Sequence, residues 1–168
     1  MKHKFREYKS WALVTGAASG MGRIYALRLA EMGYNVVLVD INARGLSETA
    51  GLVRAEVTAS SRVPQEMKER LSVIELVQDL SLPDAADTIF ARTEEASCEL
   101  EVLVNNAGVM YCQAVHATSE KMLNLIMMVH MYTPLMLCRK YVGGMRDRGC
   151  GYILNISSLA SWMIWPGI

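Results

Sequence analysis

The chain has 168 residues, 52% of them hydrophobic, and its 17 Lys and Arg residues are balanced by 17 Asp and Glu residues. That length fits one domain with its own core, and the balanced charge argues against nucleic acid or an anionic membrane surface as partner, because both attract an excess of positive charge. No cysteine or histidine has the spacing of a structural zinc site, so we expect no metal and predict reduced, mostly buried thiols of a cytoplasmic protein at Cys98, Cys112, Cys138 and Cys150.

Short apolar runs alternate with helical patterns along the whole chain. The predicted strands are residues 11–15, 34–40, 72–79, 101–105 and 152–156, and the predicted helices are residues 20–32, 43–57, 83–96 and 119–146. Residues 58–70 are polar and fit either an extension of the second helix or a surface excursion. This alternation predicts an α/β fold with a doubly wound parallel sheet, a Rossmann fold that stops after its fifth strand, in a single domain over residues 1–168.

The fourth helix contains the most apolar stretch of the chain, residues 122–138. The polar residues Asn124, His130 and Thr133 interrupt it, and a membrane span of about 20 apolar residues tolerates such groups poorly. We therefore predict a buried helix and no membrane span. Pro134 has no N–H group, so it should kink this helix or remove one of its hydrogen bonds.

A glycine-rich turn joins the first strand to the first helix. Its glycines are Gly16, Gly20 and Gly22, with Ser19 and Met21 between them. Glycine is needed where main chain approaches a pyrophosphate, which then meets free N–H groups at the positive end of the helix. The turn therefore predicts a dinucleotide site, and the alternative is a plain tight turn.

Asp40 ends the second strand, eighteen residues after Gly22. A carboxylate there can accept hydrogen bonds from both ribose hydroxyls of an adenosine, and it repels a 2′-phosphate. Asp40 therefore favours NAD over NADP. Two alternatives stay open: Asp40 is an ordinary helix N-cap, or a nearby cation, Arg23 or Arg44, accepts a phosphate.

Three further motifs follow strand ends in order: Asp79-Leu80, Asn105-Asn-Ala-Gly108 and Asn155-Ile-Ser-Ser158. With the Thr15–Gly22 turn, they resemble the short-chain dehydrogenase/reductase family over residues 10–168, although each motif alone also fits a cap, a turn or a loop. The resemblance implies an oxidoreductase that transfers hydride between the nicotinamide of NAD(P) and a small carbonyl or alcohol substrate. The cofactor-binding residues are then Gly16, Ser19, Gly20, Met21, Gly22, Asp40, Asp79, Leu80, Asn106, Ala107 and Gly108.

The resemblance also implies catalytic residues, and here the sequence departs from the family pattern. Ser158 matches the serine that hydrogen-bonds the substrate oxygen, whereas His130 stands where the family has a relay asparagine. A satisfied core histidine is the alternative for His130. No tyrosine among the 168 residues has a lysine four residues later, so the family's proton-exchanging Tyr-x-x-x-Lys pair is missing.

We therefore expect a truncated fragment that is inactive by itself. A non-catalytic dinucleotide-binding or regulatory module and a non-functional truncated product are the alternatives. In the family, the long helix belongs to a four-helix dimer interface, so the resemblance implies a homo-oligomer for the complete protein. In the fragment, the methionine-rich long helix and the fifth strand should leave apolar surface exposed.

Overall fold

Five parallel strands form the sheet of this chain in a computed structural model that describes residues 6–158. The strands are β1 (Trp11–Thr15), β2 (Asn35–Asp40), β3 (Val73–Val77), β4 (Leu100–Asn105) and β5 (Tyr152–Asn155). They lie in the order β3-β2-β1-β4-β5. The chain therefore adds β2 and β3 on one side of β1, crosses back, and adds β4 and β5 on the other side. Every neighbouring pair is parallel, which confirms the predicted doubly wound α/β sheet.

Helices fill the connections between successive strands. They are α1 (Gly20–Glu31), α2 (Ala43–Ala59), α3 (Ala85–Glu95), α4 (Glu120–Met127) and α5 (Thr133–Asp147). A π-helical segment, Met128–Tyr132, joins α4 to α5, and short 3-10 turns cover Gln65–Arg70 and Val115–Ala117. Residues 58–70 combine both predicted possibilities, because α2 runs on to Ala59 and the chain then makes a surface excursion.

The sheet separates two apolar clusters, and β2 contributes to both. Val36 and Leu38 pack beneath α1 and α2, whereas Val37 and Val39 pack on the opposite side with α3 and α5. All four side chains are fully buried, as predicted for a strand covered on both faces. Burying a Val or Leu side chain contributes about 1.5–3 kcal/mol, so this strand is a main source of stability.

The long helix from Glu120 to Asp147 turns one stripe of side chains toward the sheet. The buried residues of this stripe are Val129, Thr133, Leu137, Tyr141 and Met145. The outer face is exposed and carries Leu123, Met127, Met131, Leu135 and Val142. The prediction of a buried helix is therefore correct for the inner stripe and wrong for the outer face, because the described chain covers the helix from the sheet side.

By length and composition alone, the 28-residue Glu120–Asp147 helix could cross a membrane, and 17% of its most apolar window is buried. Core helices of soluble proteins meet the same criterion. The inner stripe packs into the cluster that includes Leu103 of β4.

The four cysteines differ in exposure more than the composition suggests. All are free thiols, but Cys98 alone among them is buried, Cys138 is half-buried, and Cys112 and Cys150 are exposed. The prediction of mostly buried thiols is therefore wrong, because Cys112 and Cys150 lie in loops rather than in the core. Burial raises the pKa of the Cys98 thiol to about 11.

Candidate functional site

The turn after β1 contains two glycines in the left-handed region of backbone conformation. Gly16 has φ +68° and Gly20 has φ +53°, values that favour glycine over residues with a Cβ. Gly16 is also pressed against the loop after β4, because a Cβ on it would lie 2.9 Å from both Ala107 Cα and Asn106 Nδ2. The turn therefore needs glycine for its conformation and for its packing.

The start of α1 has the features of an anion site. Ser19 is the N-cap residue and makes no side-chain cap hydrogen bond, and a Cβ on Gly20 would meet no atom within 4 Å. Gly22 instead packs inward, where a Cβ would overlap the Gly16 carbonyl oxygen and lie 2.7 Å from Asn106 Nδ2. An anionic group such as a pyrophosphate can therefore approach the uncapped N–H groups at Gly20.

Thr15 ties the glycine turn to the loop after β4. Its buried hydroxyl accepts hydrogen bonds from the N–H groups of Asn106 and Ala107, at 3.0 and 3.1 Å, and donates to the Val104 carbonyl at 3.4 Å. A second contact joins the same two residues, because the Asn106 side chain donates to the Thr15 carbonyl at 3.0 Å. These bonds fix the glycine turn and the loop after β4 relative to each other, and these are the two loops that would enclose a dinucleotide.

The Asp40 carboxylate is oriented by main chain on both sides. Its Oδ2 accepts from the Ala18 N–H and its Oδ1 from the Asn42 N–H, each at 3.0 Å. Asn42 is the N-cap of α2, accepting from the Gly45 N–H, so the alternative of Asp40 as that cap is wrong. A carboxylate offers about four lone-pair sites, which leaves Asp40 acceptor capacity for ribose hydroxyls.

The end of β3 is fixed in a similar way. Asp79 Oδ1 accepts from the Ser81 N–H at 2.8 Å, while α3 begins later, at Ala85, so Asp79 is not the cap of that helix. The Leu80 carbonyl accepts from the buried Thr133 hydroxyl at 2.8 Å. The loop after β3 is thereby attached to α5.

A cleft of about 320 Å³ lies along the carboxyl ends of β1 to β4. It contains six of the predicted cofactor residues, namely Gly16, Asp40, Asp79, Leu80, Ala107 and Gly108, together with Ile41, Gln78, Val109, Leu125 and Val129. The other predicted residues lie outside this lining: Asn106 bonds to the glycine turn behind it, and residues 19–22 form the start of α1, where Met21 is exposed. The sheet thus brings together residues from four separate strand ends.

The two arginines near this cleft have different roles. Arg23 turns inward: its Nε donates to Thr49 Oγ1 at 2.9 Å and its Nη2 to the Ala18 carbonyl at 2.5 Å. Arg44 points outward, and its Nε pairs with Glu48 Oε1 at 3.0 Å. As oriented here, Arg23 supports the glycine turn instead of reaching a phosphate.

His130 contacts the loop after β4 from the π-helical segment. Its Nε2 lies 3.1 Å from the Val109 nitrogen and 2.9 Å from the Val109 oxygen, so it accepts or donates according to its tautomer. Its ring also covers Gly108, where a Cβ would lie 3.0 Å from Cε1. His130 is exposed, so the alternative of a core histidine is wrong.

Pro134 accounts for the irregular helix at this point. Proline has no N–H to donate to the His130 carbonyl, four residues earlier. The N–H of the preceding residue, Thr133, donates to the Met128 carbonyl, five residues back, where a regular α-helix would use the carbonyl four residues back. The predicted loss of a regular hydrogen bond is therefore confirmed, and it takes the form of a π-turn, a feature common at functional sites.

A second cavity, of about 220 Å³, lies between α5 and the ends of β4 and β5. Its lining includes Asn105, Asn155, His130 and Cys138. Asn105 donates to Asn155 Oδ1 at 2.9 Å and to the Cys138 sulfur at 3.4 Å, and burial raises the pKa of that thiol. Ser158 is exposed and lies three residues beyond β5, past Asn155 and Ile156 of this lining.

Sequence reasoning missed the residues that support the site from behind. The motif around Thr15 indicates no role for its hydroxyl, and the position of Arg23 suggests a phosphate ligand instead of a support for the glycine turn. Thr49 was overlooked, although it is fully buried in α2 and its hydroxyl donates to the Ala17 carbonyl at 2.9 Å. A threonine in the helix that follows Asp40 gives no sequence signal for such a contact.

Two curated proteins that are similar to this chain carry the same name. The chain is 31% identical over 159 residues to the very-long-chain 3-oxoacyl-CoA reductase of Mycosarcoma maydis, covering 94% of this chain and 42% of that protein. It is 34% identical over 167 residues to the protein of the same name from Anas platyrhynchos, covering 94% and 47%. The chain thus spans about half the length, or less, of these two relatives.

The fold and the family follow from two further matches. A metagenomic short-chain oxidoreductase solved with NADP superposes with a TM-score of 0.77 at 28% identity, covering 90% of this chain and 63% of that one. The family model for short chain dehydrogenases matches residues 10–168. This chain belongs to the short chain dehydrogenase family.

Proposed function

We propose that the chain binds NAD(H) across the carboxyl edge of its sheet, as the cofactor-binding part of an oxidoreductase acting on a carbonyl or alcohol. The observation that carries this proposal is the packing of the glycine turn. Gly16 and Gly22 leave no room for a Cβ, whereas Gly20 faces open space at an uncapped helix start. A pyrophosphate requires this combination of close main-chain approach and free donors.

The nicotinamide supplies or accepts the hydride when the cofactor is bound, and the chain's own residues orient the reactants. We assign Ser158 to hydrogen-bond the substrate oxygen. His130 is assigned to hold or relay a proton beside the loop after β4. Its exposed ring and its contacts with Val109 support that role, because a neutral imidazole has one nitrogen that donates and one that accepts a hydrogen bond.

The substrate is proposed to carry an apolar chain. Val109, Met110, Tyr111 and Val115 expose apolar side chains in the loop that leaves the cofactor cleft. Exposed apolar side chains beside a cleft can bind an apolar substituent. The two curated relatives carry the name very-long-chain 3-oxoacyl-CoA reductase, which agrees with this class of substrate.

NAD is proposed as the preferred cofactor, although the metagenomic relative was solved with NADP. The support is the Asp40 carboxylate, fixed by two main-chain N–H groups beside the cleft. Asp40→Asn should weaken NADH binding relative to NADPH binding. The difference between the two binding free energies should change by about 1–3 kcal/mol, since the substitution removes a charged acceptor. Fluorescence titration of both cofactors measures this ratio. Tighter binding of NADPH by the unmutated chain would contradict the preference.

The 168-residue chain is expected to bind cofactor without turning over a ketone. Ser158 cannot donate a proton as an activated tyrosine does, and loss of a general acid typically costs about 10²- to 10⁴-fold in rate. NADH absorbance should therefore stay constant with a panel of ketones and 3-oxoacyl thioesters. Clear oxidation of NADH would contradict this expectation, and its loss in His130→Ala would assign the proton donor to His130. Binding without turnover also fits the alternative of a non-catalytic dinucleotide-binding module.

A further inference from the structure

Glu48 of α2 engages a different arginine with each oxygen of its carboxylate. Oε1 lies 3.0 Å from Arg44 Nε, and Oε2 lies 3.6 Å from Arg23 Nη2. The same Arg23 nitrogen donates to the Ala18 carbonyl, and the N–H of Ala18 donates to Asp40. Glu48 is thus linked through three successive contacts to Asp40, the residue that would select the cofactor.

The two arginines differ in how freely they could reach a 2′-phosphate beside Asp40. Arg23 is half-buried and held by Thr49 and Ala18. Arg44 lies in the first turn of α2, four residues after Asp40, and its side chain is 91% exposed. Arg44 is therefore the cation that could move to a phosphate, and its pairing with Glu48 directs it along the helix surface.

We propose that Glu48 is a specificity-determining residue of the dinucleotide site, and this inference rests on the cofactor binding proposed above. Its carboxylate neutralises part of the charge of Arg23 and Arg44 and retains Arg44 at the (i, i+4) position of the helix. Glu48 thereby reinforces the discrimination by Asp40 without contacting the ribose itself.

The test is Glu48→Gln, which keeps the size of the side chain and removes its charge. The dissociation constant for NADPH should fall about three- to tenfold, because exposed charges interact weakly in water. The constant for NADH, which has no 2′-phosphate, should stay within about twofold. Raising the salt concentration to about 0.5 M should shrink the NADPH effect, because it shortens the screening length.

Glu56→Gln is the matched control. Glu56 is also exposed on α2, eight residues further along and hence about 12 Å away along the helix axis, beyond the screening length at physiological salt. It should leave both constants unchanged. The double variant Glu48→Gln/Arg44→Gln should lose most of the NADPH gain, since the gain requires a released Arg44.

The outcomes separate this inference from the function on which it rests. Unchanged NADPH binding by Glu48→Gln, with NADH binding and the thermal unfolding midpoint both intact, would overturn the role of Glu48 and leave the cofactor site standing. An equal gain in the Glu56→Gln control would also overturn it, because the effect would then be one of net charge. Failure of the unmutated chain to bind either cofactor would overturn the proposed function and the inference together.

Discussion

Replacing Gly22 with alanine is expected to remove most of the NAD(H) affinity and to destabilise the fold. The new Cβ would overlap the Gly16 carbonyl oxygen and lie 2.7 Å from Asn106 Nδ2. Both neighbours belong to the loops that enclose the cofactor cleft, and the first is main chain, which cannot rotate away. Relief therefore requires α1 and the glycine turn to separate.

The expected size follows from the donors that would be displaced. A hydrogen bond to a charged group contributes about 1.5–3 kcal/mol, so losing two main-chain contacts to a pyrophosphate would weaken binding by about a hundredfold or more. Overpacking itself costs about 1–3 kcal/mol of unfolding free energy. NADH fluorescence titration measures the first effect, and urea unfolding measures the second.

Gly51→Ala is the matched control for this substitution. Gly51 lies within α2, where a Cβ would meet no atom within 4 Å. Alanine there should leave NADH binding unchanged and stabilise the helix by about 0.5–1 kcal/mol, because it restricts the unfolded chain. NADH affinity in Gly22→Ala equal to that in Gly51→Ala would show that the glycine turn does not bind the cofactor.

Most strand ends could be predicted because local sequence determines them, although β3 ends at Val77 and not at the predicted Asp79. Fully buried strands appear as runs such as Val36–Val39, and a polar residue such as Asp40 marks where the strand leaves the core. Parallel strands bring those ends to one edge of the sheet, so Asp40, Asp79 and Asn105 could be placed together without coordinates. The short motifs then identify which edge would carry the chemistry.

Contacts between distant segments could not be predicted from the same sequence. The inward turn of Arg23 depends on Thr49, which is 26 residues away and reaches it through the packing of α1 on α2. The sequence suggested Asp40 as a possible N-cap of α2, but the helix starts at Ala43 and Asn42 caps it instead, because asparagine is an equally good cap. The exposed apolar side chains on the outer face of the long helix, such as Met127, Met131 and Leu135, were in contrast predicted from the sequence.

Thr15→Val is expected to destabilise the fold although it preserves the shape of the side chain. Thr15 is 2% exposed, and its hydroxyl is the acceptor for the N–H groups of Asn106 and Ala107. Valine fills the same space but accepts no hydrogen bond. A fully buried N–H without a partner costs about 1–3 kcal/mol, and Asn106 and Ala107 are half-buried, so the free energy of unfolding should fall by about 1–4 kcal/mol.

Thr15→Ser separates the hydroxyl from the methyl group. Serine keeps the acceptor and loses one buried methyl, which should cost about 1 kcal/mol, so the serine variant should be the more stable of the two. Because the loop after β4 lines the cofactor cleft, NADH affinity should fall in the valine variant and persist in the serine variant. Urea unfolding with equal slopes for both variants measures the stability difference. A valine variant as stable as the serine variant would mean that water or a rearranged loop satisfies the two N–H groups, and that Thr15 does not hold the site together.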